Sequence, residues 1–243
     1  MKSNLFIAEQ FCNHGLINIP QGINLWHLLN HVVWASVEGD VVEIGCHGGI
    51  TAAMLGQTLV DLGSDKQLVL YDSFEGLSQP TAEDGNFPFI PENLQGNKRQ
   101  VVKDRFGALE IPQPTIVPGW VSDTLPQSLP DRIAFAHLDL DVYHPTLVAL
   151  EAVYPRLASG GIVVVDDYCD NELSPKVEAA YRDNLYNRSP YSGSGPQLPP
   201  RGYCIGNWVP AIKRACEKFL SDKSEEMTVM IAAEEKHAFF RKV

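Results

Sequence analysis

Five short apolar runs punctuate the chain: VVEIG at 41–45, QLVLYD at 67–72, TIVPG at 115–119, IAFAHLD at 133–139 and GIVVVDD at 161–167. Their hydrophobicity is continuous rather than alternating, and longer stretches with helical spacing separate them. A strand that is apolar on both faces must be covered on both, as helices cover the two sides of a parallel sheet. The fold class that follows is α/β, a doubly wound, mostly parallel sheet. Two later runs, MTVMIAA (227–233) and HAFFRKV (237–243), flank Glu234-Glu235-Lys236, which predicts a C-terminal antiparallel hairpin.

At 243 residues, 44% hydrophobic and 20% charged, the chain can bury a sizeable core and is read as one domain over 1–243. Ile23, Trp26, Leu29, Val32 and Val33 have helical spacing, so an N-terminal helical segment within 1–38 is expected to pack one face on the body. The first residues lack a basic start followed by an apolar run, and nowhere do about 18 apolar residues follow one another, so no membrane segment and a cytoplasmic location are expected. Cys12, Cys46, Cys169, Cys204 and Cys216 are odd in number and without any CxxC, which argues against a disulfide framework or structural zinc and fits a reducing compartment. A net charge of -11 repels a phosphate backbone, so the expected partner is a small molecule and not nucleic acid. Two long irregular stretches, 76–98 and about 172–210, follow the second and fifth strands. That position puts them at the carboxyl edge of the sheet, where open α/β sheets bind ligands, and the second reads as a lid, a subunit contact or a disordered insertion.

Three motifs sit at that edge. Glu43-Ile-Gly-Cys-His-Gly-Gly-Ile-Thr51 runs from a strand through a glycine-rich turn into a helix. Its glycines admit close backbone approach and its helix start offers free N–H groups, but Cys46 and His47 break the GxGxxG fingerprint. A carboxylate at Glu43 suits a cationic sulfonium better than a pyrophosphate. In LYDSFEG, Asp72 closes the second strand where an acid can accept both hydroxyls of a ribose, or where Asp72 or Ser73 would serve as a helix cap. Asp139, Asp141, Asp166 and Asp167 end the fourth and fifth strands together. Carboxylates crowded at one edge repel one another unless a cation sits among them, and oxygen-only ligands suit magnesium. Asp139, Asp166 and Asp167 are the expected ligands, whereas Asp141 is read as a cap or a solvent-facing residue.

With GDVVEIGCHGG, LYDSFEG, PGWVSDTLP, HLDLDVY, VYPRLASGGIVVVDDY and HAFFRK in view, the chain resembles the macrocin O-methyltransferase family, enzymes that methylate sugar hydroxyls in macrolide biosynthesis. The resemblance implies a Rossmann-like class I methyltransferase fold, S-adenosylmethionine, a bound magnesium ion and a homo-oligomer. It also implies that Glu43, Gly45, Gly49 and Thr51 line the methionine part of the cofactor and that Asp72 and Ser73 hold the ribose. The segment from Trp120 through Ser122 to Asp123 would border the adenine, Asp139, Asp166 and Asp167 would hold the metal, and Asp139 would be the proton acceptor. Related catechol-type enzymes place a lysine base where this chain has Val142, which leaves Asp139 or His144 as the base, with a solvent-facing helix start as the bland reading of His144.

The reaction expected is therefore metal-dependent transfer of a methyl group to a hydroxyl of a small molecule, such as a sugar of a natural product. A rival is a metal-dependent glycosyltransferase, since Asp139-Leu-Asp141 is also a DxD; a nicotinamide oxidoreductase fits the glycine pattern less well. The non-enzymatic reading is a protein that binds S-adenosylmethionine without catalysis.

Overall fold

Each apolar run named above becomes a strand: β1 (Asp40–Ile44), β2 (Leu68–Asp72), β3 (Thr115–Pro118), β4 (Ile133–Leu138) and β5 (Leu157–Val165), joined at the far end by β6 (Thr228–Ala232) and β7 (Glu235–Arg241). The computed structural model describes residues 2–11, 17–84, 98–168, 211–232 and 235–243. The 172–210 insertion and most of the 76–98 stretch lie outside the described residues. The strand order is β3-β2-β1-β4-β5-β7-β6. The first five run parallel, and β7 and β6 are antiparallel to their neighbours. Both expectations for the sheet, the parallel body and the terminal antiparallel pair, are met.

Helices cover both faces, as continuous apolar strands demand. On one side α1 (Lys2–Gln10), α2 (Ile19–Trp34), α3 (Ile50–Asp61) and α4 (Lys98–Ala108) pack over Val41, Leu70, Phe135 and Val164. On the other, α5 (Val121–Ser128), α6 (Tyr143–Val153) and α7 (Ala211–Leu220) pack over Ile44, Tyr71, Leu138 and Val165. The N-terminal helix α2 exists as predicted, but its buried stripe is Leu25, Leu29 and Val32, while Ile23 is 42% exposed. Asn18 starts α2 with a capping box: its side chain accepts from the Gln21 amide at 2.9 Å, and Gln21 Oε1 accepts from the Asn18 amide at 2.8 Å.

The terminal hairpin is bound to the body by aromatics. Phe240 of β7, 1% exposed, stacks on Phe219 of α7 at 6.2 Å and on Tyr154 at 6.3 Å. Truncating a buried phenylalanine removes its transfer free energy and leaves a cavity. Phe240→Ala should therefore lower unfolding stability by about 3–5 kcal/mol, read from the midpoint of a denaturant titration. A loss well under about 1 kcal/mol would mean that the hairpin contributes little to the core.

Candidate active site

Adjacent strands β1 and β4 lead away in opposite directions, β1 toward β2 and β4 toward β5, and such a switch point opens a crevice at the carboxyl edge. Two backbone contacts set its width. The Asp139 amide donates to the Ile44 carbonyl at 2.9 Å, and the Gly45 amide donates to the Tyr71 carbonyl at 2.8 Å. Gly45 adopts φ 90°, and a Cβ placed there would lie 1.8 Å from the Asp139 carbonyl oxygen. No side chain fits this position.

The crevice is a cleft of about 210 Å³. It is lined by Gly45, Asp72, Ser73, Trp120, Asp139, Asp166 and Asp167, all of which the sequence singled out, and also by Gln21, His47 and Asp141. Asp72 is held by the turns around it, its Oδ2 accepting from the His47 amide and its Oδ1 from the Phe74 amide, both at 2.7 Å. Both donors sit at left-handed residues, His47 at φ 45° and Phe74 at φ 55°. Backbone held in this sparsely populated region recurs at binding sites. Cys46, in the same turn, is 5% exposed, and burial, reinforced by the charges of Glu43 and Asp72, pushes its thiol well up from its ordinary value.

Several predicted residues lie elsewhere. Glu43 is 1% exposed and does not line the cleft. It is the register partner of His137 on β4, and its Oε1 meets His137 Nδ1 at 3.0 Å inside the layer below the edge. Burial raises its carboxyl above the ordinary value, against the hydrogen bond and charge of His137. Gly49 is buried at the start of α3 against Val102, and Thr51 is half-buried in the first turn of that helix. Ser122 and Asp123 are exposed on the first turn of α5 and stand outside the lining, whereas Trp120 and Val121 before them reach the cleft. His144 is exposed on the first turn of α6 outside the lining, which leaves Asp139 as the candidate base.

The acidic strand ends converge, with a change of membership. Carboxylate oxygens of Asp139, Asp141 and Asp167 lie within 4.8 Å of one another. Asp141 joins because it occupies a γ-turn, with φ 61° and the Val142 amide donating to the Leu140 carbonyl at 2.7 Å, which folds the chain back over the edge. Asp166 lines the same cleft, but its Oδ1 faces inward to Gln21 Nε2, His237 Nε2 and the Asp167 amide. Burial and then the charges of Asp166, Asp141 and Asp167 hold Asp139 well above the usual carboxylate range. Asp166 goes the other way: although burial opposes it, the charge of His237 brings its carboxyl down to about 2. Carboxylates that raise one another's proton affinity, with oxygen as their donor atom, are a donor set suited to a hard divalent cation.

The family profile described as Macrocin-O-methyltransferase (TylF) matches residues 17–190, which span this cleft. The chain belongs to the macrocin-O-methyltransferase family. Among relatives of known activity, the 8-demethyl-8-(2,3-dimethoxy-alpha-L-rhamnosyl)-tetracenomycin-C 4'-O-methyltransferase of Streptomyces olivaceus is 31% identical over 169 residues, 64% of this chain and 62% of that protein. Mycinamicin III 3''-O-methyltransferase of Micromonospora griseorubida is 30% identical over 169 residues, 64% of this chain and 65% of the relative. The matches thus span somewhat less than two thirds of these family relatives. The fold is that of the O-methyltransferase NovP, with TM-score 0.67 at 20% identity over 93% of this chain and 81% of that one. It is also that of the calicheamicin methyltransferase CalS11, with TM-score 0.62 at 19% identity over 99% and 91%. The chain therefore has the Rossmann-like class I methyltransferase architecture that the resemblance implied.

Gly45→Ala places a Cβ against the Asp139 carbonyl in a backbone conformation that alanine rarely adopts. It should cost at least about 2 kcal/mol of stability in a denaturant titration, and an unchanged midpoint would show that β1 and β4 can separate at this edge without penalty.

Proposed function

We propose that this chain is a single-domain O-methyltransferase that moves a methyl group from S-adenosylmethionine to a hydroxyl of a small molecule, a sugar on a natural product, with the help of a divalent cation such as magnesium. The observation that carries this reading is the convergence, in one cleft, of a glycine turn, the backbone-anchored Asp72 and a group of mutually repelling aspartates. Two relatives named above are O-methyltransferases, and the name of one specifies a rhamnosyl-bearing compound. A homo-oligomer in the cytoplasm belongs to the same proposal; among the described residues no helix is long and apolar enough to cross a membrane.

When bound, S-adenosylmethionine supplies an electrophilic methyl carbon, and a divalent cation supplies positive charge that lowers the pKa of a hydroxyl beside it. Gly45 would leave room for the cofactor against the sheet edge, Asp72 and Ser73 would accept hydrogen bonds from the ribose hydroxyls, and Trp120 would border the adenine. Asp139 and Asp167, with Asp166, hold the cation, and Asp141 stands close enough to share that task. The acceptor's proton would pass to a carboxylate oxygen of Asp139, which lines the cleft. A nucleotide-sugar donor fits less well, because the described lining carries aspartates but no lysine or arginine to meet a diphosphate.

Calorimetric titration with S-adenosylhomocysteine, with uridine diphosphate and NAD as controls, tests the class. Saturable binding of S-adenosylhomocysteine alone is expected; a preference for uridine diphosphate would move the chain to the glycosyltransferases. Asp139→Asn should keep S-adenosylhomocysteine affinity but lower methyl transfer by about 100-fold or more. Transfer close to the native rate would remove Asp139 from the mechanism.

A further inference from the structure

Below the cleft, four neighbouring strands end on the same face in an alternation of acid and imidazole: Glu43 of β1, His137 of β4, Asp166 just past β5, and His237 of β7. The row is buried, with both histidines at 0%, Glu43 at 1% and Asp166 at 7% exposure. His237 is brought there by the antiparallel pairing of β7 with β5, one step beyond the Val165–Ala238 pair. Its Nε2 lies 3.0 Å from Asp166 Oδ1.

That contact is a charge contact rather than an aligned hydrogen bond; the hydrogen bonds to the same oxygen come from Gln21 Nε2 at 3.0 Å and the Asp167 amide at 2.9 Å. The Gln21 amide has no choice of orientation, because its Oε1 is committed to the Asn18 amide in the capping box of α2, which turns its NH2 group toward Asp166. Asp166 is thus gripped on one oxygen from three directions, by α2, by β7 and by its own backbone. A carboxylate with one oxygen held this way has little freedom to turn, and Asp166 lines the cleft above.

We propose that His237, together with Gln21, is a positioning residue that locks Asp166 with Oδ2 presented to the cation held by Asp139 and Asp167. The inference rests on the cation reading given under Proposed function. Donors behind a ligating carboxylate fix its orientation, and losing them typically weakens metal affinity by about 10–100-fold. It also extends the site beyond the family match, since His237 lies outside residues 17–190 and belongs to the terminal hairpin.

The test uses the full chain and manganese(II) as a paramagnetic probe, with affinity read by electron paramagnetic resonance and S-adenosylhomocysteine affinity read in parallel by calorimetry. His237→Leu should weaken manganese binding by about 10-fold or more while leaving S-adenosylhomocysteine affinity unchanged, and His237→Gln, which keeps a donor, should restore most of the loss. Gln21→Leu should shift manganese affinity in the same direction, and it decides the matter if His237→Leu does not fold. Native manganese affinity in folded His237→Leu or in Gln21→Leu would overturn the proposal. So would an imidazole-nitrogen coupling to the bound manganese that disappears in His237→Leu, because His137, Asp166 and His237 would then themselves be ligands. If the native protein binds no manganese, or Asp139→Asn binds it unchanged, the cation reading falls and takes the positioning role with it.

Discussion

The main-chain contact between the turn after β1 and the end of β4 sets the spacing of everything else at the sheet edge. Hydrogen bonding of the Asp139 amide to Ile44 brings the Asp139 carbonyl to where a Gly45 side chain would be, so the two strands part only beyond that point. The cleft begins where the backbones stop touching. Its floor is therefore built from peptide groups, and its walls from the residues that follow each strand: the glycine turn after β1, Asp72 at the end of β2, and the aspartates after β4 and β5.

A parallel sheet sends all its carboxyl ends to one side, and in this chain many of those ends are acidic. The structure handles the resulting charge in two layers. The lower layer sets each acid beside an imidazole, Glu43 beside His137 and Asp166 beside His237, and is closed to solvent. The upper layer brings Asp139, Asp141 and Asp167 together, and its crowding shows in the raised proton affinity of Asp139. A buried like-charge group of this kind is costly unless protons or a cation join it. The division between layers follows position along the strand: His137 lies within β4, and Asp139 lies just beyond its end.

The architecture was legible because doubly buried strands write themselves as unbroken apolar runs, and because MTVMIAA and HAFFRKV bracket a polar turn. The site was legible at strand ends, where Asp72, Asp139 and Asp167 needed only the rule that ligands gather there. Glu43 misled the sequence reading because a strand end is ambiguous by one residue. An acid between Val42 and Ile44, inside a strand covered on both faces, is better read as one half of a buried pair, and His137 at the matching place in β4 was the available signal. Asp141 could not be placed, since nothing local announces a left-handed backbone at that residue. The expected stripe on α2 failed at Ile23 because an apolar residue at helical spacing can still fall on the outer rim. His237 and Gln21 were beyond reach, as their meeting at Asp166 depends on a pairing across the whole length of the chain.

Cys46 has a consequence for chemical selectivity. It stands in the turn beside Gly45, which lines the cleft proposed for an alkylating cofactor, and sulfur in its anionic form is a better nucleophile than a sugar hydroxyl. Burial and the flanking negative charges keep this sulfur protonated at neutral pH, the form in which a thiol is a poor nucleophile. The anionic surroundings that would welcome a sulfonium thereby also protect the turn from methylating itself.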